Sequence, residues 1–140
     1  KYFDADPNFV FQSRLFEYHQ KDTISIFGTK GEERKTIRFG YIKFEYDTKP
    51  FRLNVYEGLA KSGEKYYSIW FTDLTTNNES YGVGRYLDFE LDTDKDFIYT
   101  IDFNLAYNPY CAYSADYTCA IPTKDDFVNL KIEAGEKKFH

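Results

Sequence analysis

The sequence predicts a single all-β domain, either an antiparallel barrel or a β-sandwich, of about eight strands. Apolar and polar residues alternate along most segments, and turn-forming residues separate those segments. Aromatic residues make up 21% of the chain and supply the rings for a core. The 140 residues suit one domain, residues 1–140, with no internal boundary.

Four strands are predicted in the first half of the chain, at residues 9–18, 23–27, 34–46 and 51–56. A glycine-containing hairpin turn at 28–31 separates the second strand from the third, and a second turn lies at 47–50. The alternation of the third strand changes parity at Gly40. This change predicts a bulge or a sharp bend at that glycine.

Four further strands are predicted at residues 66–73, 81–91, 97–103 and 127–134. The first of these is strongly apolar and is predicted to be central, between a loop at 61–64 and a turn at 75–80. Residues 105–126 have no regular period, which predicts a long ordered loop near the C-terminus.

The charge pattern argues against nucleic acid and anionic membrane surfaces as main partners. The net charge is −5, with 18 Lys and Arg against 23 Asp and Glu, and the basic residues are scattered. No apolar run approaches the roughly 20 residues of a membrane-spanning helix, and no signal-peptide pattern is found. The expected partner is an unidentified small molecule, and a protein partner is left open.

Two cysteines, Cys111 and Cys119, lie close together in the sequence. An even count favours a disulfide in an oxidising compartment, and two buried free thiols in the cytoplasm are the alternative. Histidines are scarce, since only His19 and His140 are present. No metal site and no cofactor are therefore expected.

A set of longer motifs is more specific than periodicity. They read DLT at 73–75, SYGVGRYL at 80–87, IDFNLAYNPYCAY at 101–113, YTC at 117–119 and AGEK at 134–137. These motifs resemble the family called domain of unknown function 1684. The N-terminal half resembles the family more loosely, through a framework of Gly40, Phe44, Leu53, Val55 and Tyr56.

The resemblance implies a location but no activity. Many bacterial members look exported or lipid-anchored, which implies a periplasmic or cell-surface protein and suits a disulfide; a cytoplasmic location is the alternative. The sequence departs from the family pattern in several places. Val83 replaces a glycine, Ala120 and Thr123 replace prolines, and Asp125 and Asp126 stand where the pattern has Glu and Asn.

The stretch at 81–85 is the first candidate for ligand binding. Gly82 and Gly84 let the backbone approach a ligand closely, their amides suit an anion, and Arg85 offers a planar fork for a carboxylate. The structural alternative is a β-bulge in a strand, with Arg85 paired to a carboxylate such as Asp102.

The second candidate stretch begins at the end of a predicted strand. Asp102 and Asn104 share one side of that strand and offer an acceptor and an amide to a polar ligand. Alternatively, Asp102 neutralises Arg85 and Asn104 bonds to backbone. Tyr107 and Asn108 either line a pocket or cover the core beneath the loop.

The favoured hypothesis is a non-catalytic binding module for a small polar or anionic ligand. It requires the two candidate stretches to converge in space. The predicted ligand-binding residues are Tyr81, Gly82, Gly84, Arg85, Asp102, Asn104, Tyr107 and Asn108. One alternative is a hydrolase-type enzyme with Asp102 as general base beside Arg85, and another is a purely structural motif.

Overall fold

A seven-stranded sheet is the frame of the computed structural model, which describes residues 1–60, 62–113 and 119–138. Its antiparallel centre consists of β4 (Glu33–Tyr46), β5 (Lys49–Leu59) and β6 (Lys65–Asp73). Four short strands extend it: β2 (Phe16–Glu17) and β3 (Thr23–Phe27) on β4, and β7 (Arg85–Phe89) and β9 (Phe127–Val128) on β6.

A second, two-stranded sheet joins distant parts of the chain. It pairs β1 (Val10–Ser13) with β8 (Tyr99–Asp102) in antiparallel register. The 3₁₀ turns of the described chain are Pro7–Phe9, Phe103–Leu105, Tyr110–Ala112 and Lys124–Asp126. The all-β class is confirmed, and the two sheets do not close into a barrel. In the described ranges no helix is long and apolar enough to cross a membrane.

The hairpin of β4 and β5 follows from its turn and its bulge. Asp47 and Thr48 both have positive φ, 53° and 65°, as a two-residue hairpin turn requires. The register of β4 against β5 shifts between Arg38 and Gly40, which confirms the predicted irregularity. A Cβ on Gly40 would lie 2.6 Å from the carbonyl oxygen of Phe16, so glycine lets β2 approach β4 closely.

Several predicted strands are shorter in the structure. Residues 9–18 form two strands interrupted at Arg14 and Leu15, and the glycine-rich residues 81–84 precede β7 instead of belonging to it. β8 ends at Asp102, and β9 covers only the start of the predicted strand 127–134. Lys61, in the predicted loop 61–64, and residues 114–118, in the predicted long loop, lie outside the described residues.

The large sheet has two different faces because side chains alternate along each strand. The core face carries the main apolar cluster, which packs against the small sheet and the C-terminal segment and includes Ile42, Leu53, Val55, Ile69, Phe71 and Leu87. The opposite face, here called the aromatic face, carries Tyr56, Trp70 and Tyr86. Residues 119–126, here called the strap, lie on this face: Ala120 joins the aromatic cluster and Asp126 accepts a hydrogen bond from Tyr56 at 2.6 Å.

Candidate functional site

Arg85 is a buried charge on the core face of the sheet. It opens β7 directly opposite Phe71, and its side chain is 1% exposed. Its guanidinium pairs with Asp73 at 3.4 Å and donates hydrogen bonds to the carbonyls of Ile132, at 2.9 Å, and Ala134. Burial lowers the pKa of Arg85, and the charge of Asp73 opposes that shift.

Asp73 connects this arginine to the turn after β6. Its Oδ2 accepts the amide of Ile132 at 2.7 Å, and its Oδ1 accepts the hydroxyl of Thr75 at 2.8 Å. The predicted pairing of Arg85 with Asp102 is therefore wrong. Arg85 faces the core beside the end of β6, where Asp73 is the adjacent carboxylate.

The two glycines serve a turn and a close approach of strands. The amide of Gly84 donates to the carbonyl of Tyr81 at 3.0 Å, and Gly84 has a φ of 109°. A Cβ on Gly84 would lie 2.5 Å from the carbonyl oxygen of Phe71. Gly82 and Gly84 therefore belong to a turn before β7 and not to a bulge within a strand. Gly84 also lets the start of β7 lie close to β6.

Asp102 and Asn104 hold the N-terminal segment. The carboxylate of Asp102 accepts hydrogen bonds from the backbone and side-chain amides of Asn104, both at 2.9 Å. Asn104 in turn accepts the amide of Asp6 and donates to its carbonyl, again at 2.9 Å each. In the described part of the chain, no hydrogen bond or ion pair joins Asp102 or Asn104 to Arg85.

Asn108 is fixed by the C-terminal segment. Its backbone amide donates to the carboxylate of Glu136 at 2.8 Å, and its side-chain amide donates to the carbonyl of Lys137 at 3.0 Å. Gly135, with a φ of 81°, allows the approach, because a Cβ there would lie 2.7 Å from the carbonyl oxygen of Phe103. Asn108 is thus a buried connector in this structure.

The two cysteines are adjacent free thiols. The amide of Cys111 lies 3.2 Å from the sulfur of Cys119. Burial and a hydrogen bond with the Cys111 thiol raise the pKa of Cys119 to about 11. Tyr81 interacts with the Cys111 thiol. Burial raises the pKa of Tyr81, and the interaction with Cys111 raises it further. The disulfide remains a prediction.

An open cleft of 880 Å³ lies on the aromatic face of the described chain and is here called the aromatic cleft. Aromatic rings form a large part of its lining, among them Tyr66, Trp70, Tyr86, Phe89, Tyr107 and Tyr110. The charged side chains that line it are Arg34, Lys65, Asp88 and Glu90. Of the eight predicted ligand-binding residues, Tyr107 alone lines this cleft. It also lines a neighbouring cavity of 480 Å³, which includes Asp102.

Strand register builds the aromatic cleft. Trp70 lies opposite Tyr86 across β6 and β7, and Ser68 lies opposite Asp88, so all four side chains share one face. Tyr107 extends this edge, because its backbone exchanges hydrogen bonds of 2.9 and 3.0 Å with Tyr86.

Hydrogen bonds and stacking fix the rings of the cleft. The hydroxyl of Tyr107 donates to Asp88 at 2.6 Å, and that of Tyr86 donates to the carbonyl of Ala120 at 2.5 Å. The indole of Trp70 stacks on Tyr56 with centroids 4.3 Å apart. Sequence reasoning missed Trp70 and Tyr86 as site residues, because the pairing that places them on one face joins two separate strands.

The fold and the site together define an all-β domain that has an aromatic cleft on the same sheet face as the strap. The family model described as "Protein of unknown function (DUF1684)" matches residues 1–137, and the chain belongs to that family. A solution NMR structure of the uncharacterised protein from gene locus rrnAC0354 of Haloarcula marismortui is similar, with a TM-score of 0.75 and 27% identity. The match covers 98% of this chain and 75% of that one. No curated protein matches the chain.

Replacing Arg85 with Met should lower the free energy of unfolding by about 3–5 kcal/mol, because it leaves Asp73 charged and unpaired in the core. Adding Asp73→Asn should restore part of this loss by removing the unpaired charge. Guanidinium denaturation measures both effects. Arg14→Met is the control, since that side chain is 56% exposed. Equal losses for Arg85→Met and Arg14→Met would contradict the buried ion pair.

Buried and half-buried tyrosines should make the fold sensitive to alkali. Burial raises the pKa of Tyr56, Tyr86 and Tyr107 above the usual 10.0, and that of Tyr67 to about 12. Groups with a raised folded pKa stabilise the fold fully below pH 10, and this stabilisation is lost as pH rises through the folded pKa.

The free energy of unfolding should therefore fall above about pH 10 as these phenols ionise. Denaturation across pH, followed by tyrosinate absorbance, measures the loss. Tyr107→Phe should reduce its steepness, whereas Tyr2→Phe, at a 66% exposed position, should leave it unchanged. Equal slopes in the two variants would show that Tyr107 does not contribute.

Proposed function

We propose that this chain is a non-catalytic binding module and that the aromatic cleft is its site. The single observation that supports this is an 880 Å³ groove lined by rings and edged by charges. Small-molecule sites are typically concave, largely apolar and aromatic, with a few polar groups that orient the ligand.

The side chains of the cleft suit a small polar ligand with a flat face. The rings of Tyr66 and Tyr110 are 53% and 67% exposed and offer surfaces for stacking. Lys65 suits an anionic substituent, while Asp88 and Glu90 accept hydrogen bonds from hydroxyl or amine groups. Tyr107 and Trp70 are held by Asp88 and Tyr56, so this wall is preorganised.

The proposal moves the ligand away from Arg85. The hydrolase alternative needs Asp102 as a base beside that arginine, but the guanidinium pairs with Asp73, and one oxygen of the Asp102 carboxylate accepts hydrogen bonds from Asn104. These partners favour a binding module over this enzyme.

Trp70 is the only tryptophan in the chain and reports directly on the cleft. Titration with adenosine or N-acetylglucosamine, two polar probes with a flat face, should change its fluorescence and raise the melting temperature. Tyr66→Ala should weaken the response, because it removes an exposed stacking surface. Tyr2→Ala is the matched control, as Tyr2 is exposed and does not line the cleft. If neither probe alters the fluorescence or melting of the wild type, the proposed ligand class is wrong.

We also propose that the protein is exported and that Cys111 and Cys119 form a disulfide there. The short distance between the Cys111 amide and the Cys119 sulfur supports this pairing. Closing so short a loop should raise the free energy of unfolding by roughly 2–3 kcal/mol.

Protein purified from the periplasm without reductant should resist thiol alkylation. After reduction, both cysteines should be alkylated. Mass spectrometry measures the modification, and Cys119→Ser should leave one reactive thiol. Complete alkylation of both cysteines in the unreduced, denatured protein would contradict the disulfide.

A further inference from the structure

We infer that a second, smaller pocket on the aromatic face binds a small oxyanion, a phosphate or carboxylate group. The pocket has a volume of 250 Å³ and is lined by Tyr18, Arg38, Arg52, Asn54 and Asp125. It shares no lining residue with the aromatic cleft, and this inference does not depend on the function proposed for that cleft.

The strand register brings two arginines to one face. Arg52 and Asn54 lie two positions apart on β5, so both point to the same side of the sheet. Arg38, on the neighbouring strand β4, lies directly opposite Tyr56, which belongs to the aromatic face. Tyr18 follows β2 and closes the pocket through a 2.7 Å hydrogen bond to Asn54.

The pocket has a net positive charge. Arg52 lies over the ring of Tyr41, with its guanidinium carbon 4.8 Å from the centroid, and no carboxylate of the described residues is within 4.0 Å of it. Asp125 is the single acidic lining residue. The neighbouring Asp126 is buried and accepts hydrogen bonds from Tyr56 and Thr123.

The contact of Arg38 with Asp125 indicates which ligand chemistry the pocket accepts. The Nη2 atom of Arg38 lies 3.5 Å from Asp125, whose side chain is 67% exposed, so this carboxylate is a weakly held oxyanion that solvent can accommodate instead. Within the part of the chain that the structure describes, the buried Nε atom of Arg38 has no hydrogen-bond partner. A guanidinium binds an oxyanion best through two parallel N–H donors, and the 3.5 Å contact of Arg38 with Asp125 is an ion pair without that bidentate geometry.

The size of the pocket limits the ligand. Its 250 Å³ is below the roughly 300–1,000 Å³ typical of sites for drug-sized molecules. A phosphate or a small carboxylate fits this space, and a ligand that displaces Asp125 would meet both arginines.

Inorganic phosphate and acetate are the probes, and sodium chloride at matched ionic strength is the control. Amide chemical-shift titration of the full chain should give saturable shifts near Tyr18, Arg52 and Asp125 with phosphate, with acetate or with both. The probe that saturates identifies the oxyanion. Shifts with both probes that are no larger than those with chloride, or that lie elsewhere, would overturn the site.

Two variants with opposite expected effects test the roles of the charges. Arg52→Gln should weaken binding about tenfold, because it removes a charge-assisted contact to the oxyanion from an exposed side chain. Asp125→Asn should tighten binding, because it removes the competing carboxylate. Arg14→Gln, at an arginine that does not line the pocket and pairs with the exposed Asp96, should change nothing. An Arg52→Gln affinity equal to that of Arg14→Gln, or an Asp125→Asn affinity no tighter than wild type, would overturn the inference.

Discussion

The buried ion pair of Arg85 and Asp73 is the constraint on which the rest of the structure depends. It joins the end of β6, the start of β7 and the C-terminal residues Ile132 and Ala134. From Ala134 the chain continues to Glu136, whose carboxylate binds the amide of Asn108. The residue before Asn108, Tyr107, exchanges backbone hydrogen bonds with Tyr86 of β7 and lines the aromatic cleft. The geometry of the cleft thus depends on a charge buried outside it.

This connection gives a physical meaning to the family motifs. Several residues of the motifs belong to the polar network around the ion pair or hold the N-terminal segment, among them Asp73, Thr75, Arg85, Asp102, Asn104, Asn108, Gly135 and Glu136. The motifs therefore specify how the ends of the chain attach to the sheet. Ligand contacts in the cleft come instead from rings whose side chains the motifs only partly include.

The alternation of apolar and polar residues predicted several strands and one irregularity correctly. The strands 23–27 and 66–73 and the irregularity at Gly40 follow from alternation and are present in the structure. The partner of Arg85 was not predictable, because it depends on how the turn after β6 packs beside β7. The cleft and the arginine pocket were missed because each combines side chains of three or more segments, and alternation gives the face of a strand but not its neighbours.

The β4–β5 hairpin and the joined chain ends differ greatly in sequence separation. A two-residue turn closes the hairpin. At the chain ends, the amide of Lys137 donates to the carbonyl of Lys1, and the amide of Phe3 donates to the carbonyl of Gly135, so these bonds span nearly the whole sequence. Loop-closure entropy grows with loop length, so the hairpin can form early, while the ends dock only after the sheet exists. Local opening should proceed in the reverse order, with the paired ends exchanging their amide hydrogens before the strands of the hairpin do.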